Sequence, residues 1–185
     1  MNYQIVKGNI FQQDPGDSIV VIPHIVNDIG AWGSGFVVGV TKNTGPKAEN
    51  RYKKWFNNKV YDKTDGLCLE SGKFALGEVQ IISVNAHLII ANMVGQTGTI
   101  NRPNDMSRPP IRYGALAKAM EYVEKTLNRL KKTEFPNFSD INTVIHCPKF
   151  GSERAGGDWK IIEQMILEIW VDRGIPVTVY EYEGK

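Results

Sequence analysis

The sequence predicts a three-layer α/β/α fold, with a central mixed β-sheet covered by helices on both faces. Three observations carry this expectation. Short apolar, β-branched runs alternate along the chain with segments whose apolar residues recur at helical spacing. Strands alternating with helices are the pattern of a sheet packed on both sides. Two of the apolar runs also lead into a glycine-bearing loop and then a helix, as at the ligand edge of such sheets. A length of 185 residues suits one domain, so residues 1–185 are expected to act as a single unit.

The elements follow in order. Residues 3–6 read as a short strand and 18–22 as a buried one. Residues 36–43 and 46–58 read as helices, with Pro46 suited to a first helical position. Residues 78–84 and 88–92 read as paired strands joined near Asn85-Ala86. The clearest helix is 111–131, where Leu116, Ala119, Met120, Val123, Leu127 and Leu130 form one stripe. Residues 142–147 read as a buried strand. Residues 159–173 read as a helix with Ile162, Met165, Ile166 and Ile169 on one face and Gly174 just past its end. Residues 176–182 read as the last strand. The stretches 57–77, 95–110 and 133–140 are polar or proline-bearing and read as loops.

Composition excludes several classes. Hydrophobic residues are 42% and charged residues 23%, which is ordinary for a folded domain, and a net charge of +2 argues for neither a nucleic-acid nor a membrane surface. Cys68 and Cys147 are far apart and form no CxxC pair, so zinc is not expected. Their apolar neighbours suggest buried free thiols and a reducing compartment. Residues 1–7 lack a signal-peptide core, and no apolar run approaches the ~20 residues that span a bilayer. A cytoplasmic location with no membrane association is expected. Lys53, Lys54 and Lys59, interleaved with Tyr52 and Trp55, make a mild basic patch. An RNA or poly-ADP-ribose surface there is weighed against aromatics that pack into the core.

Two constellations carry chemistry. The first runs from His24 through Asn27, Asp28, Gly30, Trp32, Gly33 and Ser34 to Gly35. Glycines let several N–H groups face one point, and the helix behind them adds its positive end, so the loop suits an anion. His24 is either a hydrogen-bonded core histidine or a group facing the loop. Trp32 is expected to cover a ligand. The second runs from Pro148 through Gly151, Ser152, Glu153, Arg154 and Ala155 to Asp158 and Trp159. Asp158 fits a helix N-cap and also a base. Arg154 is either a bidentate phosphate grip or a solvated side chain. Two such units suggest an elongated anion. A diphosphate between two sugars, a mononucleotide and a flavin all satisfy the pattern.

The motifs, taken together and in order, resemble the macrodomain family almost end to end. Val6-Lys-Gly-Asn-Ile10 is similar to the family's opening, with Asn9 and Ile10 where the adenine is contacted. The run 27–35 resembles its distal-ribose loop, the run 148–159 its diphosphate loop, and Ile175-Pro-Val-Thr-Val-Tyr180 its closing strand. Ala91-Asn-Met-Val-Gly-Gln96 and Pro109-Pro-Ile-Arg-Tyr113 resemble uncharacterised bacterial and phage members. The branch most resembled contains terminal ADP-ribose glycohydrolases, DNA-ADP-ribose antitoxins and the yeast ADP-ribose-1″-phosphate phosphatase.

The resemblance implies ligand contacts from Asn9, Ile10, Asn27, Gly30, Trp32, Gly33, Ser34, Gly35, Gln96, Gly151, Ser152, Glu153, Arg154, Ala155 and Tyr180. The ligand implied is ADP-ribose or a close derivative, free or on an ADP-ribosylated macromolecule. A monomer needing neither metal nor cofactor is expected. Departures matter. No lysine stands in 94–96, where two of those groups use one; Ala155 replaces an aspartate; and Gly-Ser-Glu-Arg replaces Gly-Cys-Gly-Leu at 151–154. Glu153 stiffens the phosphate loop and adds negative charge, which Arg154 screens. The leading expectation is a hydrolase of ADP-ribose-1″-phosphate or an ADP-ribosyl adduct. His24 would be its acid or base, Asn27 would hold the ribose, and Asp158 would activate water. The alternative is a reader that binds without turnover.

Overall fold

A strand that is apolar on both faces can be satisfied only between two layers. The run Ile19–Asn27 is such a strand and lies at the centre of the molecule. The computed structural model describes residues 2–12, 14, 16–59, 66–99, 108–132 and 142–182. Among these, seven strands form one sheet: β1 (Tyr3–Lys7), β2 (Ile19–Asn27), β3 (Cys68–Glu70), β4 (Val79–Asn85), β5 (Leu88–Gln96), β6 (Thr143–Pro148) and β7 (Val177–Glu181). Their order is β1-β7-β6-β2-β5-β4-β3. The strands from β1 to β5 in that order are parallel, while β4 and β3 add antiparallel pairs, so the sheet is mixed as expected.

Alternate residues of β2 serve the two layers. Val20, Ile22 and Val26 join Trp32, Val37, Val40, Tyr52 and Trp55 beneath α1 (Phe36–Thr44) and α2 (Lys47–Phe56). Ile19 and Val21 face α3 (Tyr113–Lys132) and α4 (Trp159–Ile166). The α3 stripe is buried from Leu116 to Leu130 as its spacing predicts. After Ile166 the helix winds on as a π-helical segment, Leu167–Val171. The wider turn lets Ile169 and Trp170 both face inward, and the Trp170 indole N–H donates to the Met120 carbonyl at 3.0 Å.

Several expectations need correction. β2 and β5 run to Asn27 and Gln96, well beyond the β-branched runs that announced them. β3 lies inside a stretch read as loop: it is only three residues long and takes its register from β4. Pro46 is the N-cap of α2 instead of its first helical residue. Cys147 is buried as expected, but Cys68 is only half-buried. The loop expected at 133–140 lies outside the described residues, as do parts of those at 57–77 and 95–110. Tyr52 and Trp55 are core residues, so the aromatics interleaved with Lys53 and Lys54 pack inward. No helix among the described residues is long and apolar enough to cross a membrane.

One row of the sheet is polar. His24, Asn92, Gln80 and Glu70 lie in register across β2, β5, β4 and β3. Gln80 Nε2 donates to Glu70 Oε1 at 2.9 Å and to the Arg51 carbonyl at 3.1 Å, and Asn92 Nδ2 lies 3.4 Å from Gln80 Oε1. The row ends at His24, 1% exposed, whose two ring nitrogens have no hydrogen-bond partner among the described residues. Burial lowers the His24 pKa to about 4, and the Asn92 side chain offsets only part of the effect.

The unfolded chain therefore binds a proton at His24 below about pH 6.5, while the folded chain excludes it until about pH 4. Stability from this group is present above the unfolded value and is lost as pH falls through that window. Urea unfolding at about pH 7.5 and about pH 4.5 should show the wild type losing about 2 to 3 kcal/mol more than His24→Leu. Equal acid losses would contradict a buried neutral imidazole.

Candidate functional site at the carboxyl edge of the sheet

Parallel strands end at the same edge, and here β1, β7, β6, β2 and β5 all deliver their carboxyl ends there. That edge gathers Asn9 and Ile10 after β1, residues 28–35 after β2, Gln96 at the end of β5, residues 149–158 after β6 and Tyr180 near the end of β7. Residues far apart in sequence are therefore level in space; Val6 and Pro148 both pair with Tyr180.

The first loop is organised by Asn27. Its Oδ1 accepts from Ile29 N at 3.1 Å and from Ala31 N at 2.9 Å, and its Nδ2 donates to the Ala31 carbonyl at 2.6 Å. The Tyr52 hydroxyl lies 2.6 Å from the Asn27 carbonyl oxygen and 3.0 Å from Oδ1, so the loop is tied to α2. Burial pushes the Tyr52 phenol upward, which keeps it a donor. Asp28 Oδ1 accepts from Gly98 N at 2.7 Å, and Gln96 Nε2 donates to the Gly98 carbonyl at 2.9 Å, linking the loop to the exit of β5. Gly30 sits against the Phe56 ring, which a Cβ would overlap.

Trp32 was expected to lie over a ligand, yet it is 7% exposed and belongs to the core. Its ring packs against Tyr52 and His24, with centroids 5.3 and 5.7 Å away. Its indole N–H donates to Thr41 Oγ1 at 2.8 Å, Thr41 donates to Glu49 Oε2 at 3.0 Å, and Lys53 holds Glu49 at 2.6 Å. The Lys53 bond lowers the Glu49 pKa. With Trp32 withdrawn, Gly33, Ser34 and Gly35 are exposed, as is Ile29 earlier in the loop. Gly35 has φ 80 and ψ −151, a conformation that a side chain strains, and it opens α1 with no side-chain cap. The N–H groups of Phe36 and Val37 have no acceptor among the described residues.

The second loop rests on Ile111. The Ile111 N–H donates to the Ala155 carbonyl at 3.0 Å, and its side chain fills the space beneath Gly151 and Gly157. A Cβ on Gly151, whose φ is 79, would stand 2.9 Å from Ile25 and 3.0 Å from Ile111 and Ile162. Gly157 N donates to the Gly151 carbonyl at 2.7 Å, and Ser152 Oγ donates to the Lys149 carbonyl at 2.8 Å. These bonds fold the loop back on itself. The N–H groups of Ser152, Glu153, Arg154 and Ala155 have no acceptor among the described residues. Ala155 is buried, while Glu153 and Arg154 are exposed.

Beside the loops, toward β1 and β7, Ile10 and Tyr180 are both buried and share one apolar cluster with Val6, Phe11 and Phe36. Asn9 Oδ1 accepts from Phe11 N at 3.0 Å, shaping the turn Ile10–Gln12. Phe11 stacks on Phe36 at 5.5 Å. Neither aromatic was singled out from sequence, although each follows a marked residue, Ile10 or Gly35. Ile111 and Tyr113 were also missed as supports; their run carries no local signal for that role.

The three residues marked as catalytic are not brought together. His24 lies in the α1/α2 layer beneath Trp32 and Phe36. Asp158 opens α4 in the opposite layer, where its Oδ1 accepts from Lys160 N at 2.8 Å and its own N–H donates to the Tyr113 hydroxyl at 2.7 Å. The Asn27 amide is engaged in holding its own loop.

No protein-family model matches the sequence, and no curated protein matches it. Solved structures do. A protein of unknown function from Bacteroides thetaiotaomicron is 32% identical over 97% of this chain and 98% of its own, with a TM-score of 0.75. A macrodomain protein from Streptomyces coelicolor is 30% identical over 97% of this chain and 98% of its own, with a TM-score of 0.71. Thermosipho africanus DarTG, solved in complex with ADP-ribose, shares the fold at 14% identity, covering 97% of this chain and 41% of that one, with a TM-score of 0.64. With 30% identity to the Streptomyces protein over nearly the whole of both chains, this chain belongs to the macrodomain family.

Proposed function

We propose that this chain acts as one module over its whole length and binds ADP-ribose or a close derivative at the carboxyl edge of its sheet. One observation carries the reading. Two groups of backbone N–H donors, those of Ser152–Ala155 and those opening α1, lack protein acceptors among the described residues and stand at the same edge. Donors arranged this way, one set at a helix N-terminus, suit phosphate oxygens. A diphosphate bound there has Ile10, Tyr180 and Asn9 on one side, an apolar and amide surface suited to adenine. Gly30, Gly33, Ser34 and Gln96 lie on the other, suited to a hydroxyl-rich sugar. Asn27 contributes by holding the first loop in shape. The ADP-ribose complex of the structurally similar DarTG supports the ligand class.

Isothermal titration tests this. ADP-ribose should bind in the micromolar range, about −8 kcal/mol, and AMP about tenfold or more weakly. Absence of ADP-ribose binding would overturn the reading.

Hydrolysis is the second reading, favoured by His24. A buried imidazole without a hydrogen-bond partner among the described residues is costly, and groups of that kind are often kept for chemistry. His24 would serve as a neutral base only after Trp32 or Phe36 moved aside. Product release from ADP-ribose-1″-phosphate and from an ADP-ribosyl peptide separates the readings. The binding module releases nothing above the uncatalysed rate. Turnover that falls about a hundredfold in His24→Ala would establish the hydrolase instead. Asp158→Asn keeps the α4 cap but removes the carboxylate, so it should match the wild type in stability; only a base role for Asp158 would make it lose turnover.

A further inference from the structure

One side chain joins the two loops. Arg154 leaves the second loop and lies over Gly35 of the first: its Cδ is 3.2 Å, and its Nε 3.7 Å, from the point where a Cβ on residue 35 would stand. The glycine makes this crossing possible, since any side chain at 35 would press on Arg154. Gly35 is also the N-cap of α1, a helix of nine residues with no side-chain cap.

The arrangement has the wrong sign for an interior contact. A guanidinium is always charged. It would normally be favoured at a helix C-terminus and disfavoured at the positive N-terminal end. Here it stands at that end, beside the unpaired N–H groups of its own loop. No carboxylate pairs with it among the described residues. Glu153 is exposed beside it without forming an ion pair, Asp158 is turned to the α4 cap, and the nearby cation Lys149 is held by Glu181 at 2.8 Å. The guanidinium and the N-terminal end of α1 thus meet at Gly35, and among the described residues no carboxylate is paired with either.

We infer that Arg154 is a strap closing from the second loop onto the first, and that it selects ligands with two linked phosphates over ligands with one. This rests on the reading of the edge as a phosphate-binding cleft. A single phosphate satisfies either the α1 end or the second loop. A diphosphate reaches both, and the planar fork above the junction can grip an oxygen from each phosphate. The strap also offsets the Glu153 charge, so a loop carrying an extra carboxylate still holds a polyanion.

The test is titration of the full chain and of Arg154→Leu and Arg154→Lys with ADP-ribose, AMP and inorganic pyrophosphate, at roughly 50 and 300 mM salt. The Arg154 side chain is exposed, so both variants should fold. Arg154→Leu should weaken ADP-ribose and pyrophosphate about tenfold, lower the ADP-ribose preference over AMP by a similar factor and flatten the salt dependence. Arg154→Lys should restore the salt dependence but only part of the preference. Unchanged diphosphate binding in Arg154→Leu, or an equal loss for AMP, overturns the strap and leaves ADP-ribose binding standing. Arg154-dependent pyrophosphate binding by a wild type that ignores ADP-ribose keeps the strap and overturns the ADP-ribose reading. A wild type that binds neither overturns both.

Discussion

The side-chain amide of Asn27 is the point on which the ligand edge depends. It ends the central strand, and three short contacts turn the chain through Ile29 and Ala31 while a fourth, from Tyr52, fixes it to α2. Only a side chain with both an acceptor and a donor can do this, because the loop offers it N–H groups and a carbonyl together. With the loop held, Gly33–Gly35 are exposed and α1 starts with its N–H groups at the sheet edge. The same bonds leave the amide little capacity for anything else. In the proposed site its contribution is therefore chiefly the shape of the loop.

The two loops reach similar ends by different means. The first is held by side-chain hydrogen bonds, through Asn27, Asp28 and the Trp32–Thr41–Glu49 chain. The second is held by close packing over Ile111 and Ile162, where Gly151 and Gly157 admit no Cβ. Packing of that kind is intolerant of added volume. Both leave a set of N–H groups without an acceptor among the described residues, and Arg154 reaches from the second loop to Gly35 of the first. Backbone donors, a helix N-terminus and a guanidinium together are complementary to a phosphate chain.

Much of this was legible in the sequence. Apolar period revealed the α3 stripe, and β-branched runs revealed where β2, β4 and β6 begin. The glycine-bearing loops and the order of motifs located the edge. What stayed hidden depends on distant partners. β3 is too short to announce itself and exists through pairing with β4. The ends of β2 and β5 are polar, since His24, Asn92 and Gln96 continue strands that began as apolar runs. Trp32 looked like a ligand cover because its neighbours are glycines. Its burial follows from Thr41, Tyr52 and His24, none of which is near enough in sequence to signal it. Asp158 and His24 looked like partners until the sheet set them in opposite layers.

The central claim is that ADP-ribose lies across the two loops at the carboxyl edge. Amide chemical-shift mapping by ¹⁵N–¹H correlation spectroscopy, with ADP-ribose added stepwise, addresses it most directly. The account predicts saturable shifts concentrated at Gly33–Val37 and Ser152–Ala155, with smaller ones at Asn9, Ile10 and Tyr180. Shifts confined to another surface, or none at saturating ligand, would contradict it.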